Sequence, residues 1–494
     1  MMTHVVSKET VFARAAAGSL FAGNLIAGAS SDGTVDNTTP IDNSVIGKIG
    51  DAVAADVDIA VAAARRCFEN GEWRQLAPAE RKQIMLAWTE LMTRHAEELA
   101  ALDCIDAGKP ITECLNTDLP ATLETFRWYA EAADKVFGKT APAGNAWSWI
   151  VKEPIGVVAA VLPWNFPAQM FAWKVAPALI AGNSVIVKPA ELTSLSAYRM
   201  IELAHQAGVP AAALQMVCGR GETVGAAIGR HMDIDMVSFT GSTEVGRLFL
   251  TYAAQSNLKE IVLECGGKSP QIVFEDAVLD EAAVGNILSA AFWNMGENCS
   301  CGSRLLVHRS RKDELAEKLK AGLSGWRLGD PREEGVALGP MIEQAHFDKV
   351  AAYLQTAEQQ GAQRIIGNGV RTDLGGWYIE PTVFDNVRPD SSLFQEEVFG
   401  PVLALTVFDS EEEAVALANN SVYGLAASFY TQDVKRVLRV ASALQAGTVS
   451  VNGFSEGDIT TPFGGYKQSG FGGRDKGLEA LEQYCQTKTV WVCE

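Results

Sequence analysis

A repeated alternation of apolar strands with helices, beginning at residue 156, constrains the fold more than any other feature of this sequence. Continuous apolar runs of strand length, separated by helical segments, occupy residues 156–162, 183–189, 214–217, 236–239 and 261–263. A strand that is apolar along its whole length fits a parallel sheet covered by helices on both faces. The runs therefore predict an α/β protein with a parallel sheet, and such a sheet binds ligands at the carboxyl ends of its strands.

A second alternating region extends from Gln271 to about Val451, with a strand at residues 304–308 and helices at residues 347–360 and 410–419. Earlier in the chain, helices are predicted from Asp56 to about Glu69 and, as one long amphipathic helix, from Pro78 to about Asp106, after a first strand region within residues 15–29. Residues 148–152 and 487–492 are predicted to be short strands, and the second is an exposed edge that needs a partner. Residues 219–225 miss the spacing of a dinucleotide fingerprint and are predicted to be a turn.

Charge and cysteine content exclude several classes of protein. The chain carries 60 acidic and 41 basic residues, a net charge of −19, which opposes nonspecific binding to nucleic acid because phosphates are repelled. Nine cysteines without a regular framework argue against a disulfide-built secreted protein, and no Cys/His cluster has the spacing of metal ligands. No apolar run approaches the ~20 residues of a membrane helix, and no signal peptide is recognisable. We expect a cytoplasmic protein without a metal, a membrane or a nucleic-acid partner.

Cys299 is the strongest candidate for a catalytic residue. It follows a small polar residue and precedes a glycine turn, a setting that leaves a thiol accessible. Upstream, Glu264 is followed by the paired glycines 266 and 267. A thiolate that forms a covalent adduct and a carboxylate that activates water to remove it can divide a two-step reaction between them. No histidine lies near Cys299 in the sequence, so a Cys–His pair has no local support.

Three segments predict a dinucleotide site. Glu191 lies between a predicted strand and helix, where a carboxylate accepts hydrogen bonds from ribose hydroxyls and repels a 2′-phosphate, which favours NAD over NADP. The alternative is a carboxylate that serves the helix dipole. Gly241 and Ser242 lie at the start of another helix, a position that binds pyrophosphate. Glu397 stands two residues before Phe399, which suits a nicotinamide ribose and its ring, although a helix end would explain the pair as well.

Together these segments resemble the aldehyde dehydrogenase superfamily. The matching motifs, in order, are residues 163–167 (PWNFP), 187–191 (VKPAE), 239–242 (FTGS), 264–270 (ECGGKSP), 292–304 around Cys299, 397–401 (EVFGP) and 462–470 (PFGGYKQSG). The likeness covers nearly the whole chain from about residue 20.

The resemblance implies an aldehyde dehydrogenase-like α/β fold, with two parallel-sheet Rossmann-type domains and a small β extension for oligomerisation. The implied boundaries are residues 1–135 and 155–266 for the NAD-binding domain, 267–475 for the catalytic domain, and 136–154 and 476–494 for the oligomerisation strands. A homo-oligomer, either a dimer or a tetramer, is expected.

The resemblance also implies roles in NAD-dependent oxidation of a small-molecule aldehyde. Cys299 matches the nucleophile that forms a thiohemiacetal and then a thioester, and Glu264 matches the base that hydrolyses the thioester. Asn165 and the Cys299 backbone N–H match the oxyanion hole, and Lys174 assists proton relay. The matching cofactor contacts are Trp164, Lys188, Glu191, Gly241, Ser242, Gly246, Glu397 and Phe399.

The substrate is less constrained. Residues 454–473 are most similar to members of polyamine catabolism, which oxidise 4-aminobutyraldehyde, its γ-glutamyl derivative or 4-guanidinobutyraldehyde. Acidic residues at the aldehyde tunnel suit a cationic end of such a substrate, and a solvated loop accounts for them equally well. The predicted substrate contacts are Asp118, Met170, Trp173, Glu456, Asp458 and Ile459.

Three alternatives remain open: a broad-specificity aliphatic aldehyde dehydrogenase, a CoA-acylating relative, and a structural or binding member without catalysis. Retention of Glu264 argues against the CoA-acylating alternative. The chain also departs from the common family pattern, with Glu297 where glutamine is frequent and with Ser300 and Cys301 beside the nucleophile. Cys301 is either a packing residue or the partner of an oxidative bond to Cys299.

Overall fold

The computed structural model describes residues 5–31, 33–142 and 144–493. The first part contains α1 (Lys8–Ala16), β1 (Leu20–Ala22), β2 (Thr34–Thr38), β3 (Val45–Gly50), α2 (Ala54–Asn70), α3 (Pro78–Arg94), α4 (Ala96–Ala107), α5 (Ile111–Glu113), α6 (Leu119–Ala132) and β4 (Lys139–Ala141). The middle part contains β5 (Ala146–Pro154), β6 (Val157–Val161), α7 (Pro167–Ile180), β7 (Ser184–Lys188), α8 (Leu195–Ala207), β8 (Leu214–Met216), α9 (Ala226–Arg230), β9 (Met236–Thr240), α10 (Thr243–Ala254), β10 (Glu260–Glu264) and β11 (Pro270–Val273).

The last part begins with α11 (Glu281–Phe292), β12 (Arg304–His308), α12 (Lys312–Leu323), α13 (Gln344–Gln359), β13 (Gln363–Ile366), β14 (Val370–Arg371), β15 (Tyr378–Ile379), β16 (Thr382–Asp385), α14 (Ser392–Gln395) and β17 (Val402–Phe408). It ends with α15 (Glu411–Asn419), β18 (Tyr423–Gly424), β19 (Ala426–Tyr430), α16 (Val434–Ala443), β20 (Thr448–Val451), β21 (Tyr466–Lys467), β22 (Gly470–Phe471), α17 (Gly477–Gln483) and β23 (Cys485–Cys493).

The first large sheet has the order β22–β10–β9–β6–β7–β8, and all its strands except β22 are parallel. Its strands are apolar throughout because each face packs against its own core. Val158 and Ala160 of β6 belong to one core cluster, and Val157 and Ala159 belong to another on the opposite face. Alternate side chains of a strand point to opposite faces, so a continuous apolar run fits this doubly covered sheet.

The second large sheet has the order β13–β16–β17–β12–β11–β19–β20, with β13 as the single antiparallel strand. It too is covered on both faces, since Leu306 packs in one cluster while Leu305 and Val307 pack in another. The predicted α/β class with two parallel sheets is therefore confirmed.

The two sheets meet where β10 passes into β11. Only residues 265–269 separate the carboxyl end of β10 from the amino end of β11. The carboxyl edge of the first sheet thus faces the amino edge of the second. Loops at both edges, including the one that carries Cys299 ahead of β12, are brought to the same place.

A third sheet joins segments far apart in the chain, in the order β23–β5–β4. The two strands predicted at residues 148–152 and 487–492 pair with each other along their whole length, antiparallel, from Cys485 opposite Pro154 to Cys493 opposite Ala146. The outer edge of β23 has no partner strand among the described residues. The predicted domain boundaries remain a prediction, and their ends at residues 1–4 and 494 lie outside the described residues.

Some local predictions were wrong. The long helix expected from Pro78 to Asp106 is two helices, α3 and α4, separated at His95, whose backbone leaves the helical region. The His95 ring is buried, with Nδ1 2.7 Å from Glu98 Oε2. The turn expected at residues 219–225 is instead a π-helical turn, from Gly221 to Gly225, that leads into α9. Most of the strand region expected within residues 15–29 is irregular, with only β1 as a strand.

Candidate active site

A cavity of about 750 Å³ lies between the facing edges of the two large sheets. Loops that follow β6, β7, β9 and β10 line it from the first sheet, and loops that precede β12 and β17 line it from the second. This arrangement brings Asn165, Glu264 and Cys299 to one cavity although they are far apart in sequence. The Cys299 thiol and the Glu264 carboxylate can therefore act on the same bound carbonyl compound.

Cys299 lies on a tightly folded loop after α11. The turn from Trp293 to Gly296 places Asn294 and Met295 at positive φ values of 52° and 57°. Gly296 also has a positive φ, and a Cβ there would collide with the carbonyl oxygen of Gly400. Residues held in this region of backbone space cost of order 1–3 kcal/mol each and persist only when surrounding structure fixes them. The loop ahead of the thiol is thus fixed by its neighbours.

The thiol itself is partly open to the cavity. Protein nevertheless surrounds Cys299 closely enough that burial raises the pKa of its thiol well above the ordinary value, and the nearby carboxylates of Glu456, Glu397 and Glu264 raise the same pKa further. A thiol in this setting is protonated at rest, so its attack requires a group that accepts the proton.

Asn165 follows β6 and is fixed at both its backbone and its side chain. Its side-chain Nδ2 donates to the backbone carbonyl of Glu297 at 2.9 Å. The backbone carbonyl oxygen of Asn165 accepts from Asn294 Nδ2 at 3.2 Å and from Lys109 Nζ at 3.0 Å. An amide nitrogen carries two hydrogens, so Nδ2 retains one for a developing oxyanion.

Glu264 ends β10 and is buried, and neither of its carboxylate oxygens has a hydrogen-bond partner among the described residues. Burial raises the pKa of Glu264 well above the ordinary value, and Asp475 raises the same pKa further, whereas Lys174 lowers it. Lys174 lies behind this carboxyl group, fully buried, with Nζ 3.1 Å from Asp475 Oδ2 and 3.2 Å from Ser238 Oγ. Glu264 therefore suits a general base that is poised to bind water.

The far end of the cavity has the features of an adenosine and pyrophosphate site. Ser242 caps α10, with its Oγ accepting from Val245 N at 3.2 Å, and Gly241 precedes it. Lys188 Nζ lies 3.4 Å from Glu191 Oε2 at the end of β7. A helix N-terminus offers N–H donors to phosphate, and a carboxylate beside it accepts from ribose hydroxyls.

The near end, toward Cys299, is built from Glu397 and three aromatic rings. Glu397 Oε1 accepts from Gly267 N at 2.8 Å, and burial raises the pKa of this carboxyl group to about 7. The Trp164 ring lies 5.3 Å from the Phe399 ring and 5.4 Å from the His346 ring, centroid to centroid, edge to face. His346 Nε2 lies 2.6 Å from the Phe399 carbonyl oxygen, and burial lowers the pKa of His346 to about 4.

These residues fit a dinucleotide. The helix N-terminus of α10, the Lys188–Glu191 pair and the Glu397 carboxylate line the same cavity as Cys299. The volume lies within the roughly 300–1,000 Å³ of small-molecule sites. NAD would be held by Lys188 and Glu191 at one ribose, by α10 at the pyrophosphate, and by Glu397 and Phe399 at the nicotinamide end.

The substrate side of the cavity is mostly aromatic. Phe166, Met170, Trp173 and Phe463 form a buried cluster against which Cys299 and Trp293 pack. Glu456 adds an acidic side chain to this part of the cavity. Its Oε1 accepts from Asn298 Nδ2 at 3.1 Å and from Ser300 Oγ, the residues on either side of the nucleophile.

Other residues singled out in the sequence lie outside the cavity wall. Asp118 is buried and its Oδ2 lies 2.6 Å from Lys109 Nζ, so its charge is already compensated. Asp458 lies at the surface, where its Oδ1 accepts from the backbone N of Thr460 at 2.8 Å. Ile459 packs in the core, and Gly246, within α10, faces Leu263 and Cys265 at the end of β10.

Asp475, Lys109 and His346 were missed by the sequence analysis. No motif marks them, and each owes its place to tertiary contacts. Lys174 gave a signal for Asp475, because a lysine within an apolar helix needs a buried anion as partner.

Within residues 5–31, 33–142 and 144–493, no helix is long and apolar enough to cross a bilayer. The same residues contain no cluster of three or more His, Cys, Asp or Glu side chains placed to hold a metal ion.

Comparison with known proteins gives consistent matches over nearly the whole chain. Residues 27–490 match the sequence model of the aldehyde dehydrogenase family. An aminoacetaldehyde dehydrogenase of Pseudomonas aeruginosa is 50% identical over 496 residues, covering 99% of each chain. Among solved structures, a gamma-glutamyl-gamma-aminobutyraldehyde dehydrogenase from Burkholderia cenocepacia is 45% identical with a TM-score of 0.94, covering 99% of this chain and 100% of the other. The P. syringae indole-3-acetaldehyde dehydrogenase AldA, in complex with NAD+ and IAA, is 41% identical with a TM-score of 0.96 and the same coverage.

Proposed function

The chain belongs to the aldehyde dehydrogenase family, and on that premise we propose that it oxidises an aldehyde to the carboxylic acid through a covalent intermediate on Cys299. NAD is the cofactor, consistent with the NAD+ complex of the AldA relative. The observation that carries the proposal is the convergence of Cys299, Asn165 and Glu264 at one end of a cavity whose other end suits a dinucleotide.

The first half-reaction forms the covalent bond. Cys299 Sγ attacks the carbonyl carbon while its proton passes to the Glu264 carboxylate in the same cavity, and the thiohemiacetal oxygen carries the developing negative charge. The free hydrogen on Asn165 Nδ2 and the Cys299 backbone N–H donate to that oxygen. Fixed donors of this kind are typically worth about 2.7–4 kcal/mol each. Bound NAD supplies the acceptor for the hydride that leaves the thiohemiacetal carbon, and a thioester remains on Cys299.

The second half-reaction frees the enzyme. Glu264 accepts a proton from a water molecule, which attacks the thioester carbon and breaks the bond to Sγ. The acid leaves, and protonated Glu264 returns this proton to the Cys299 sulfur. Glu264 suits this step because its carboxylate oxygens have no hydrogen-bond partner among the described residues and its raised pKa makes it a stronger base than an exposed carboxylate. The proton that Glu264 takes from the thiol in the first half-reaction must leave before this step, and the buried pair of Lys174 and Asp475, 3.1 Å apart, provides a route for it.

We further propose that the substrate is a short ω-amino aldehyde whose ammonium group binds Glu456. Both hydrogen bonds of this carboxylate use Oε1, so Oε2 has no hydrogen bond to a described residue. Glu456 contacts the residues that flank Cys299, which places its charge close to the reacting carbon. In a short aminoaldehyde the ammonium group is likewise close to the carbonyl carbon, and the methylene groups between them contact the aromatic wall. The name of the aminoacetaldehyde dehydrogenase relative supports this choice.

A kinetic survey tests the proposed function. The purified chain is assayed for NADH and NADPH formation with aminoacetaldehyde, 4-aminobutyraldehyde, propanal and butanal, with and without CoA. The proposal expects the highest kcat/KM for an aminoaldehyde with NAD and no need for CoA. Equal kcat/KM for the amino and alkyl aldehydes would favour a broad-specificity enzyme. A requirement for CoA would contradict hydrolysis by Glu264.

We also propose a homo-oligomer built on the third sheet. No described strand pairs with the outer edge of β23, and the large side chains Trp147 and Trp491 on this sheet are exposed by 71% and 57%. An open edge flanked by exposed aromatic residues is a surface for pairing with another chain. Light scattering of the native chain and of Trp491→Glu tests this, with a smaller mass expected for the variant. An unchanged mass would remove Trp491 from the interface.

A further inference from the structure

We propose that Lys109 and Asp118 form a buried ion pair that positions the oxyanion donor Asn165. Neither residue lines the cavity, and neither touches substrate or cofactor in the proposed mechanism. Lys109 is therefore a positioning residue, and the inference rests on the role proposed for Asn165.

Lys109 is placed by the end of α4. Gly108, at a φ of 72°, ends the helix in the left-handed region, and a Cβ there would lie 2.8 Å from both Pro40 and Pro340. The tight turn directs the Lys109 side chain inward, where only 1% of the residue is exposed. Glycine is needed at position 108 because both the backbone conformation and the space exclude a side chain.

Three contacts hold the Lys109 ammonium group. It donates to the Asn165 carbonyl oxygen at 3.0 Å, lies 2.6 Å from Asp118 Oδ2, and lies 3.7 Å from the centroid of the Phe166 ring. Two of the three contacts are with adjacent residues of the loop that follows β6. The ammonium group thus binds the loop that carries the oxyanion donor, and Asp118 balances its charge.

Stability alone does not account for such a pair. Burying two charges costs several kcal/mol per ion before their attraction is counted, and apolar residues of similar size often stabilise a fold equally well. A methionine at position 109 would fill the same space against Phe166 without a desolvation cost. What a methionine cannot do is donate a hydrogen bond to the Asn165 carbonyl.

That hydrogen bond completes the fixing of Asn165. Its carbonyl has two donors, Lys109 and Asn294, and its side chain is held by the Glu297 carbonyl. Without Lys109, the peptide group after Asn165 keeps one donor and can rotate, which moves the amide that faces the oxyanion. A misplacement of about 1 Å at a catalytic group costs about 100-fold in rate.

The test separates the oxyanion step from other chemistry at the same thiol. For Lys109→Met, we expect kcat for aldehyde oxidation to fall about 100-fold, and hydrolysis of an activated ester by Cys299 to fall with it, since both reactions form an oxyanion. Alkylation of Cys299 by iodoacetamide forms no oxyanion and should keep its rate, and the Kd of NAD should also be unchanged. Lys312→Met is the matched control. Lys312 Nζ lies 2.6 Å from Asp385 Oδ2, and neither residue lines the cavity, so the loss of this pair should leave all four quantities unchanged.

A double-mutant cycle tests whether Lys109 acts through Asn165. In an Asn165→Ala background, Lys109→Met should cause little further loss of kcat, because the donor that it positions is gone. Asp118→Asn, which keeps the size of the side chain, provides a second variant and should show the same non-additivity with a smaller loss.

Two results would overturn the inference: native kcat in Lys109→Met, or a loss of alkylation rate in parallel with kcat, which would indicate collapse of the whole nucleophile loop. Full activity of Asn165→Ala alone would instead contradict the proposed function, so the two failures are distinguishable.

Discussion

The side chain of Asn165 donates a 2.9 Å hydrogen bond to the backbone carbonyl of Glu297, two residues ahead of Cys299. Asn165 follows a strand of the first sheet, and Glu297 precedes a strand of the second. One hydrogen bond therefore joins the proposed oxyanion donor to the loop of the nucleophile across the boundary between the sheets. It also orients the amide, so that its second hydrogen is available to the substrate oxygen.

Replacing Asn165 by alanine should slow turnover without preventing cofactor binding. The loss of one fixed oxyanion donor typically costs about 2.7–4 kcal/mol, or about 100- to 1,000-fold in kcat. Steady-state NADH formation gives kcat, and fluorescence titration gives the Kd of NAD, which should stay within about twofold of the native value because Asn165 lies at the catalytic end. Near-native turnover would remove Asn165 from the oxyanion site.

Hydrolysis of the thioester should depend on pH through Glu264. The pKa of this carboxyl group is raised, so its ionised, basic form becomes populated only above the ordinary range of a glutamate. The rate of thioester decay should therefore rise with pH through that raised pKa and then level off. Acyl-enzyme formed in a rapid mixer and transferred to a series of buffers gives this profile directly.

Glu264→Gln provides the control for that profile. The variant should decay about 100-fold more slowly, the lower range for general base catalysis, and its rate should lose the dependence on pH attributed to Glu264. The same rise with pH in the glutamine variant would mean that another group titrates, and the assignment of the base would be wrong.

Glu456 should govern the preference for an amino group, and Asp458 should not. Aminoacetaldehyde and propanal have almost the same size, so the ratio of their kcat/KM values isolates the ammonium group. A hydrogen bond to a charged group is worth about 1.5–3 kcal/mol, so Glu456→Gln should lower this ratio about 10- to 100-fold. Asp458→Asn is the matched control, because Asp458 is exposed and bonded to Thr460. A ratio that falls in the Asp458 variant and not in the Glu456 variant would reverse the assignment.

Cys301 should act as a packing residue. Its Sγ lies 3.3 Å from the Ala291 carbonyl oxygen, within the core, and burial raises the pKa of its thiol to about 12. Because thiolates are the reactive species, such a thiol resists oxidation. After mild peroxide treatment, mass spectrometry of the peptide that carries both cysteines should show no disulfide reversible by dithiothreitol. Peroxide should also inactivate Cys301→Ala and the native chain at the same rate. A reversible disulfide would contradict this.

The parallel strands were predictable from the sequence because their signal is local. The apolar run at residues 183–189 contains β7, and the run predicted at residues 304–308 coincides with β12. In contrast, the break between α3 and α4 depends on the burial of His95 beside Glu98, which helical periodicity does not contain. The pairing of β23 with β5 joins segments more than 300 residues apart, and neither segment indicates its partner.

The residues of the candidate site also fall into two groups, those that a local sequence motif indicates and those that only tertiary contacts define. Cys299, Glu264 and Asn165 could be proposed from the sequence because each lies in a motif with a fixed spacing, and the structure brings all three to one cavity. Lys109 and Asp475 could not, because each is defined by what it contacts after folding. Among the acidic residues, sequence alone gave Glu456 and Asp458 equal standing, and only the structure shows that Glu456 faces the nucleophile while Asp458 faces solvent.

Mass measurement of the enzyme during turnover tests the central proposal, covalent catalysis by Cys299, most directly. Glu264→Gln is mixed with aldehyde and NAD, quenched in acid and digested. We expect the peptide containing Cys299 to gain the mass of the acyl group, and Cys299→Ser in the same background to gain none and to form no NADH. Steady NADH formation without any acyl-Cys299 peptide, or native oxidation rates in Cys299→Ser, would contradict it.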